Sequence, residues 1–151
     1  MIKLICVGKI KEKYLQDAIN EYKKRLSKYT KLDIIELKDI THPELDKVKK
    51  EEGELILRNI KSTDNVIVLD IIGHELTSLE LAEKLEQLEN KNSDLTFIIG
   101  GSYGLSDEVK KRANYSLSFS KLTFPHQLFR VIFLEQLYRT YKIRHNESYH
   151  K

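Results

Sequence analysis

Three short segments of the 151-residue chain gather residue types suited to holding a small ligand. They are Asp70–Gly73, the run Gly100-Gly101-Ser102-Tyr103-Gly104, and Ser118 to Pro125, which sets the hydroxyls of Ser118, Ser120 and Thr123 ahead of a helix. Glycine reaches positive φ and lets a backbone approach a ligand closely, and open parallel sheets bind ligands beyond the carboxyl ends of their strands. Taken alone, Gly100–Gly104 is either a tight turn or a binding loop. Two common nucleotide sites are excluded. A dinucleotide fingerprint needs G-x-G-x-x-G after an early strand, with an acid about 20 residues on. Here only Gly8 follows the first strand-like run, and G-G-x-x-G follows the fourth. No G-x-x-x-x-G-K-[ST] occurs, which removes the phosphate loop. His42, His74 and His145 fall at no metal-ligand spacing, so no metal is expected.

The elements that must position these segments follow from apolar patterning. Strands are expected at Ile2–Val7, Leu32–Leu37, Asn65–Ile72, Leu95–Ile99 and Tyr115–Phe119. Helical spacing runs through Lys11–Tyr29, with Tyr14, Leu15, Ala18, Ile19, Tyr22 and Leu26 on one stripe, and through Pro43–Ile60, with Leu45, Val48, Leu55 and Ile56 inward. A leucine-rich helix opens at Ser78, the expected N-cap, and a short one spans Ser106–Asn114. The last runs from near Pro125 to about Arg144, proline being tolerated in a first turn. Strands alternating with helices predict one α/β domain, a mainly parallel sheet with helices on both faces.

The C-terminal helix is apolar almost all round, from Leu128 and Phe129 through Ile132, Phe133 and Leu137 to Tyr141. Such a helix is buried on more than one side, either wholly inside the core or shared between the core and a subunit interface. Glu135 and Gln136 on it then need partners, because a buried polar group left unpaired costs about 1–3 kcal/mol.

The net charge of +3 is uneven, with six Lys/Arg against two acids in 121–151 and a second basic stretch, Lys9 to Lys31, holding eight Lys/Arg against Glu12, Asp17 and Glu21. Such clusters are solvated faces or phosphate contacts. A lone Cys6 permits no intramolecular disulfide or cysteine cluster, and a reducing cytoplasm is expected. Met1-Ile2-Lys3 leads into a strand rather than a signal peptide, and no run approaches the ~20 apolar residues of a membrane span.

Several motifs together resemble one family. Gly100–Gly104, the run Ser118-Phe119-Ser120-Lys121-Leu122-Thr123-Phe124-Pro125-His126-Gln127, the block Glu135-Gln136-Leu137-Tyr138-Arg139 and the ending Tyr149-His150 are similar to the bacterial ribosomal RNA large subunit methyltransferase H family of the SPOUT superfamily. Val7-Gly8-Lys9, Glu21-Tyr22 and Arg25-Leu26 extend the likeness to the full chain. The chain departs from the family near its end, where Asn146-Glu147-Ser148 replaces a segment that often carries Gly and Pro. Asn146 can still take the left-handed turn that such a glycine would.

The resemblance implies a single SPOUT domain over 1–151, with a C-terminal trefoil knot formed by roughly 65–151, a homodimer, and S-adenosylmethionine held in the knot. It implies methylation at N3 of a pseudouridine in 23S ribosomal RNA on the assembled ribosome. A non-catalytic ribosome- or RNA-binding protein that keeps the fold is the alternative. Carried over by position, the cofactor site comprises Leu69, Gly100, Phe119, Ser120, Lys121, Leu122, Thr123 and Phe124, with Lys121 contributing backbone rather than its cation. An imide nitrogen must lose its proton to attack, by transfer to a base or with donors stabilising the flanking oxygens. His126, Arg139, Tyr149 and His150 are the candidates for that work. Each also has a plainer reading: His126 as a helix cap, Arg139 as an i, i+4 partner of Glu135, and Tyr149-His150 as a frayed end.

Overall fold

A computed structural model describes residues 1–151. The elements alternate as β1 (Ile2–Val7), α1 (Lys13–Leu26), β2 (Leu32–Leu37), α2 (Leu45–Arg58), β3 (Asn65–Glu75), α3 (Ser78–Lys91), β4 (Leu95–Ile99), α4 (Asp107–Arg112), β5 (Tyr115–Ser118) and α5 (His126–Arg144). Every strand pairing is parallel, in the order β2-β1-β4-β3-β5. The central strands are buried on both faces, which is why they read as unbroken apolar runs rather than alternating ones.

Strand periodicity divides the core in two. Leu4, Cys6, Ile67, Leu69, Phe97 and Ile99 point toward α1, α3 and α5 in the larger cluster. Their neighbours Ile5, Val7, Val66, Val68 and Ile98 meet Ile56 of α2 and Val109 of α4 on the other face. The expected two-sided parallel α/β architecture is therefore present. None of the helices is long and apolar enough to cross a membrane.

The structure corrects several expectations. The N-cap of α3 is Thr77, not Ser78: Thr77 Oγ1 accepts from the Glu80 amide at 3.1 Å, and the Glu80 carboxylate accepts from the Thr77 amide at 2.8 Å. Placing the cap one residue earlier puts an acid at the third helical position and completes a capping box. Ser78 is free to donate to Gln136 instead, at 2.8 Å. Tyr14 on α1 and Leu45 on α2, expected inward, are exposed because they lie where no other element covers their helices. Strand β3 runs past Ile72 to Glu75, with its register against β5 shifted between Leu69 and His74. Gly73 is required there, since a Cβ would lie 2.8 Å from backbone atoms of Ser116 and Leu117.

Candidate active site

The sheet order places β4, β3 and β5 side by side, so the loops after these three strands meet at one end of the sheet. Together with the start of α5 they enclose a cavity of about 690 Å³. Leu69, Asp70 and Ile71 form one wall and Ile99 to Ser102 with Gly104 and Leu105 another; Leu117, Phe119, Ser120, Leu122, Thr123 and Phe124 form the third, closed by Pro125 and by His126 and Phe129 of α5. Seven of the eight residues expected to hold the cofactor line this space. Lys121 does not, and its side chain is exposed.

Local chemistry shapes the walls. The glycine run closes on itself through a Gly104 amide bond to the Gly101 carbonyl at 3.1 Å, with Gly104 at φ +86. Gly100 cannot carry a side chain, because a Cβ would sit 2.8 Å from Leu105 Cδ2. The run is thus a tight turn and a cavity wall at once. In the third wall the Ser118 hydroxyl donates to the Ser120 carbonyl at 3.1 Å, and the Leu122 amide donates to Ser120 Oγ at 2.9 Å. These bonds bend the chain so that backbone, not only side chains, faces the cavity. Phe119 packs edge-on against Phe129 and Phe124 stacks on it, with centroids 5.1 and 5.9 Å apart. The one carboxylate in the wall, Asp70, is matched by Lys110 at 3.5 Å.

The four candidates for the chemical step separate. His126 lines the cavity in the first turn of α5 and makes no capping bond. Arg139, Tyr149 and His150 gather further along, around Glu135. Glu135 accepts from Arg139 Nε at 3.1 Å and from the Arg139 Nη2 as well, from the Tyr149 hydroxyl at 3.1 Å, and from Gln136 at 2.9 Å. The guanidinium lies 4.7 Å from the Tyr149 ring centroid, and Arg139 Nη1 stands 3.2 Å from His150 Nδ1. Arg139 does pair with Glu135, then, but it also binds the tail. That tail is docked rather than frayed. Asn146 adopts φ 54, the left-handed turn expected of it, and Glu147 is held by Tyr29 at 2.9 Å, Lys142 at 3.0 Å and Lys28 at 3.2 Å.

The electrostatics make this cluster a set of donors. Glu135 keeps the Arg139 guanidinium charged, its hydrogen bond outweighing the burial that acts the other way. Burial, then the Glu135 charge, push the Tyr149 phenol up to about 12, so it stays protonated at neutral pH. A guanidinium only donates, so His150 Nδ1 accepts from it and the ring proton sits on Nε2, while the single Tyr149 hydroxyl proton is taken by Glu135. Ten positions separate Phe129, the last residue of α5 to line the cavity, from Arg139, about 15 Å along the helix axis. Within one chain the donors and the cavity do not meet.

Two residues that shape this end of the sheet were not legible in the sequence. Arg130, the most buried charged side chain of α5 at 1% exposure, reaches Glu36 at 2.7 Å and the carbonyls of Gly8 and Val7 at 3.0 and 3.3 Å. The available signal was a lone cation in the apolar stretch Leu128–Leu134 of α5. The other, Glu52, leaves no local signal, because its surroundings come from the loops after β2 and β4, around Asp39 and Gly101.

Residues 1–150 match the family model described as "Predicted SPOUT methyltransferase". Proteins named "Ribosomal RNA large subunit methyltransferase H" from Clostridium perfringens (strain ATCC 13124), Clostridium tetani (strain Massachusetts) and Clostridium botulinum (strain Kyoto) are each 54% identical, with 99% of both chains covered.

Proposed function

Because the chain belongs to the SPOUT methyltransferase family, we propose that it methylates N3 of a pseudouridine in 23S ribosomal RNA, taking the methyl group from S-adenosylmethionine, in the cytoplasm and on the assembled ribosome. The observation that carries this reading is the cavity built by the loops after β3, β4 and β5. Its volume of about 690 Å³, its apolar walls and its bent, exposed backbone suit an adenosine-sized ligand. Leu69, Leu117 and Leu122 offer apolar contact to a base, while the backbone from Gly100 to Gly104 and from Phe119 to Phe124 offers amides and carbonyls. The bound donor would supply an electrophilic methyl group.

The chain's own residues then have two tasks. Holding nucleophile and donor in line supplies much of the rate, and the cavity walls do the holding. Stabilising an imide that loses its proton falls to Arg139 and His150, whose free N–H groups favour stabilising charge on the flanking oxygens, with Tyr149 packed against the guanidinium. Glu135 fixes Arg139 and Tyr149 in place. Since Arg139 lies about 15 Å along α5 beyond Phe129, the last residue of that helix to line the cavity, the reading includes a homodimer in which one subunit's tail serves the other's cavity. The trefoil knot over roughly 65–151 belongs to the same proposal.

Calorimetric titration with S-adenosylmethionine, followed by mapping of the modified nucleotide on ribosomes lacking it, tests the proposal. Saturable binding and a new methyl at one pseudouridine are expected. Arg139→Ala should lower turnover by about 100-fold or more while leaving donor affinity within about twofold. Methylation elsewhere, or unchanged turnover in this variant, would refute the assignment.

A further inference from the structure

Glu52 is a carboxylate the proposed chemistry does not use. It sits on α2 with 5% of its surface exposed, and its Oε1 has no hydrogen-bond partner. That oxygen is aimed at the glycine loop: a Cβ on Gly101 would lie 2.8 Å from it. Gly101 itself lines the cavity, so a single peptide backbone separates the carboxylate from the cavity space. The approach is built in by the next residue. Gly53 packs so closely on Ser106, the N-cap of α4, that a Cβ there would fall 2.3 Å from Oγ.

No cation answers this charge. Burial raises the Glu52 pKa first, the Ile40 backbone opposes that, and the Asp39 charge adds to it. Asp39 is itself turned toward Gly8, where a Cβ would meet its Oδ1 at 3.1 Å. The carboxylate of the cavity wall, Asp70, is neutralised by Lys110. An unpaired carboxylate in low dielectric is unfavourable unless something cationic approaches.

We infer that Glu52 is a specificity-determining, positioning residue whose negative charge, acting through the Gly101 backbone, makes the cavity favour the cationic sulfonium donor over the neutral thioether left after transfer. This rests on the reading of the cavity as the S-adenosylmethionine site. The two ligands differ by one methyl and one charge, so a field acts on the first and leaves the second nearly untouched. A carboxylate outside the cavity achieves this without contacting the ligand, and it eases exchange of product for fresh donor.

The test is calorimetric titration of the full-length protein with S-adenosylmethionine and with S-adenosylhomocysteine. Glu52→Gln is expected to weaken the sulfonium ligand by roughly threefold to tenfold and the thioether by less than about twofold. Glu52→Met, neutral and apolar, is a second charge-free variant that removes the unpaired buried group, and it should shift the ratio the same way. Glu52→Asp should restore the preference. Equal weakening of both ligands would mark Glu52 as packing only and overturn the inference, as would unchanged affinities in both neutral variants. If the unaltered protein binds neither ligand, the cavity reading falls and takes the inference with it. Normal binding with an unaltered ratio overturns the inference alone.

Discussion

Arg130 and Glu36 are 94 residues apart in sequence and 2.7 Å apart in space. The guanidinium also holds two carbonyls at the end of β1, so it ties the start of α5 to the sheet beside the cavity. Removing the acid strands a buried cation, and breaking such a pair is far more costly than never having made it. Glu36 is about one-third exposed, which lets water soften the loss. Glu36→Gln is therefore expected to cost about 2 kcal/mol, read as a lower urea midpoint at unchanged m. Glu147 works at the same scale in the tail. Hydrogen bonds from Lys142, then Tyr29, and further on Lys28, hold its carboxyl down at about 2, against an ordinary 4.5. A depressed folded-state pKa means its contribution is fully present above about pH 4.5 and is lost as pH falls toward 2. Thermal melts should show a downward slope across that window, and Glu147→Gln should flatten it. An identical slope in the variant would show that other carboxylates carry the acid sensitivity.

Ten elements are legible in the sequence because the central strands are apolar runs, α1 to α3 carry apolar stripes and α5 is apolar almost all round. What the sequence left open concerns edges. The helical period marks a stripe on α1 and α2, but whether Tyr14 and Leu45 at its margin are covered depends on neighbours that only the fold supplies. Thr77 and Ser78 both cap helices by type; the position of Glu80 decides between them, because only Thr77 lies three residues before it. The three cavity loops were readable from glycines and hydroxyls, whereas Glu52 and Arg130 acquire their roles from contacts made across the sheet. The cap has a direct consequence. Thr77→Ala should remove about 1 kcal/mol, a fall of about 3 °C in melting temperature, while Ser78→Ala, which breaks a bond to Gln136 but no cap, should cost less. Equal losses from the two would contradict the placement of the helix start.

At the scale of the molecule, α5 serves three surfaces. It packs on the sheet through Phe133, Leu134 and Leu137, meets α1 and α3 on its flanks, and leaves Leu128 40% exposed near the cavity. Ile71, Ile72 and Leu122 are exposed around the same mouth, Ile72 by 79% and Leu122 by 72%. Isolated apolar side chains are ordinary on a surface, but here they surround a cavity whose last lining residue on α5, Phe129, is about 15 Å from Arg139 on the same helix. A twofold pairing would cover these side chains and carry the Arg139 cluster of one subunit toward the cavity of the next, since a self-complementary interface uses each patch twice. Light scattering of the unaltered protein should then give twice the chain mass of 17.8 kDa. Leu128→Glu, which sets a charge on a half-exposed position and leaves the core of one chain intact, should give single subunits with unchanged circular dichroism. Because the donors would be lost from every cavity, ribosome methylation should fall at least as far as in Arg139→Ala. A folded single subunit that methylates at the full rate would show that one chain holds the whole site, and the gap of about 15 Å along α5 would then have to close by movement of the tail.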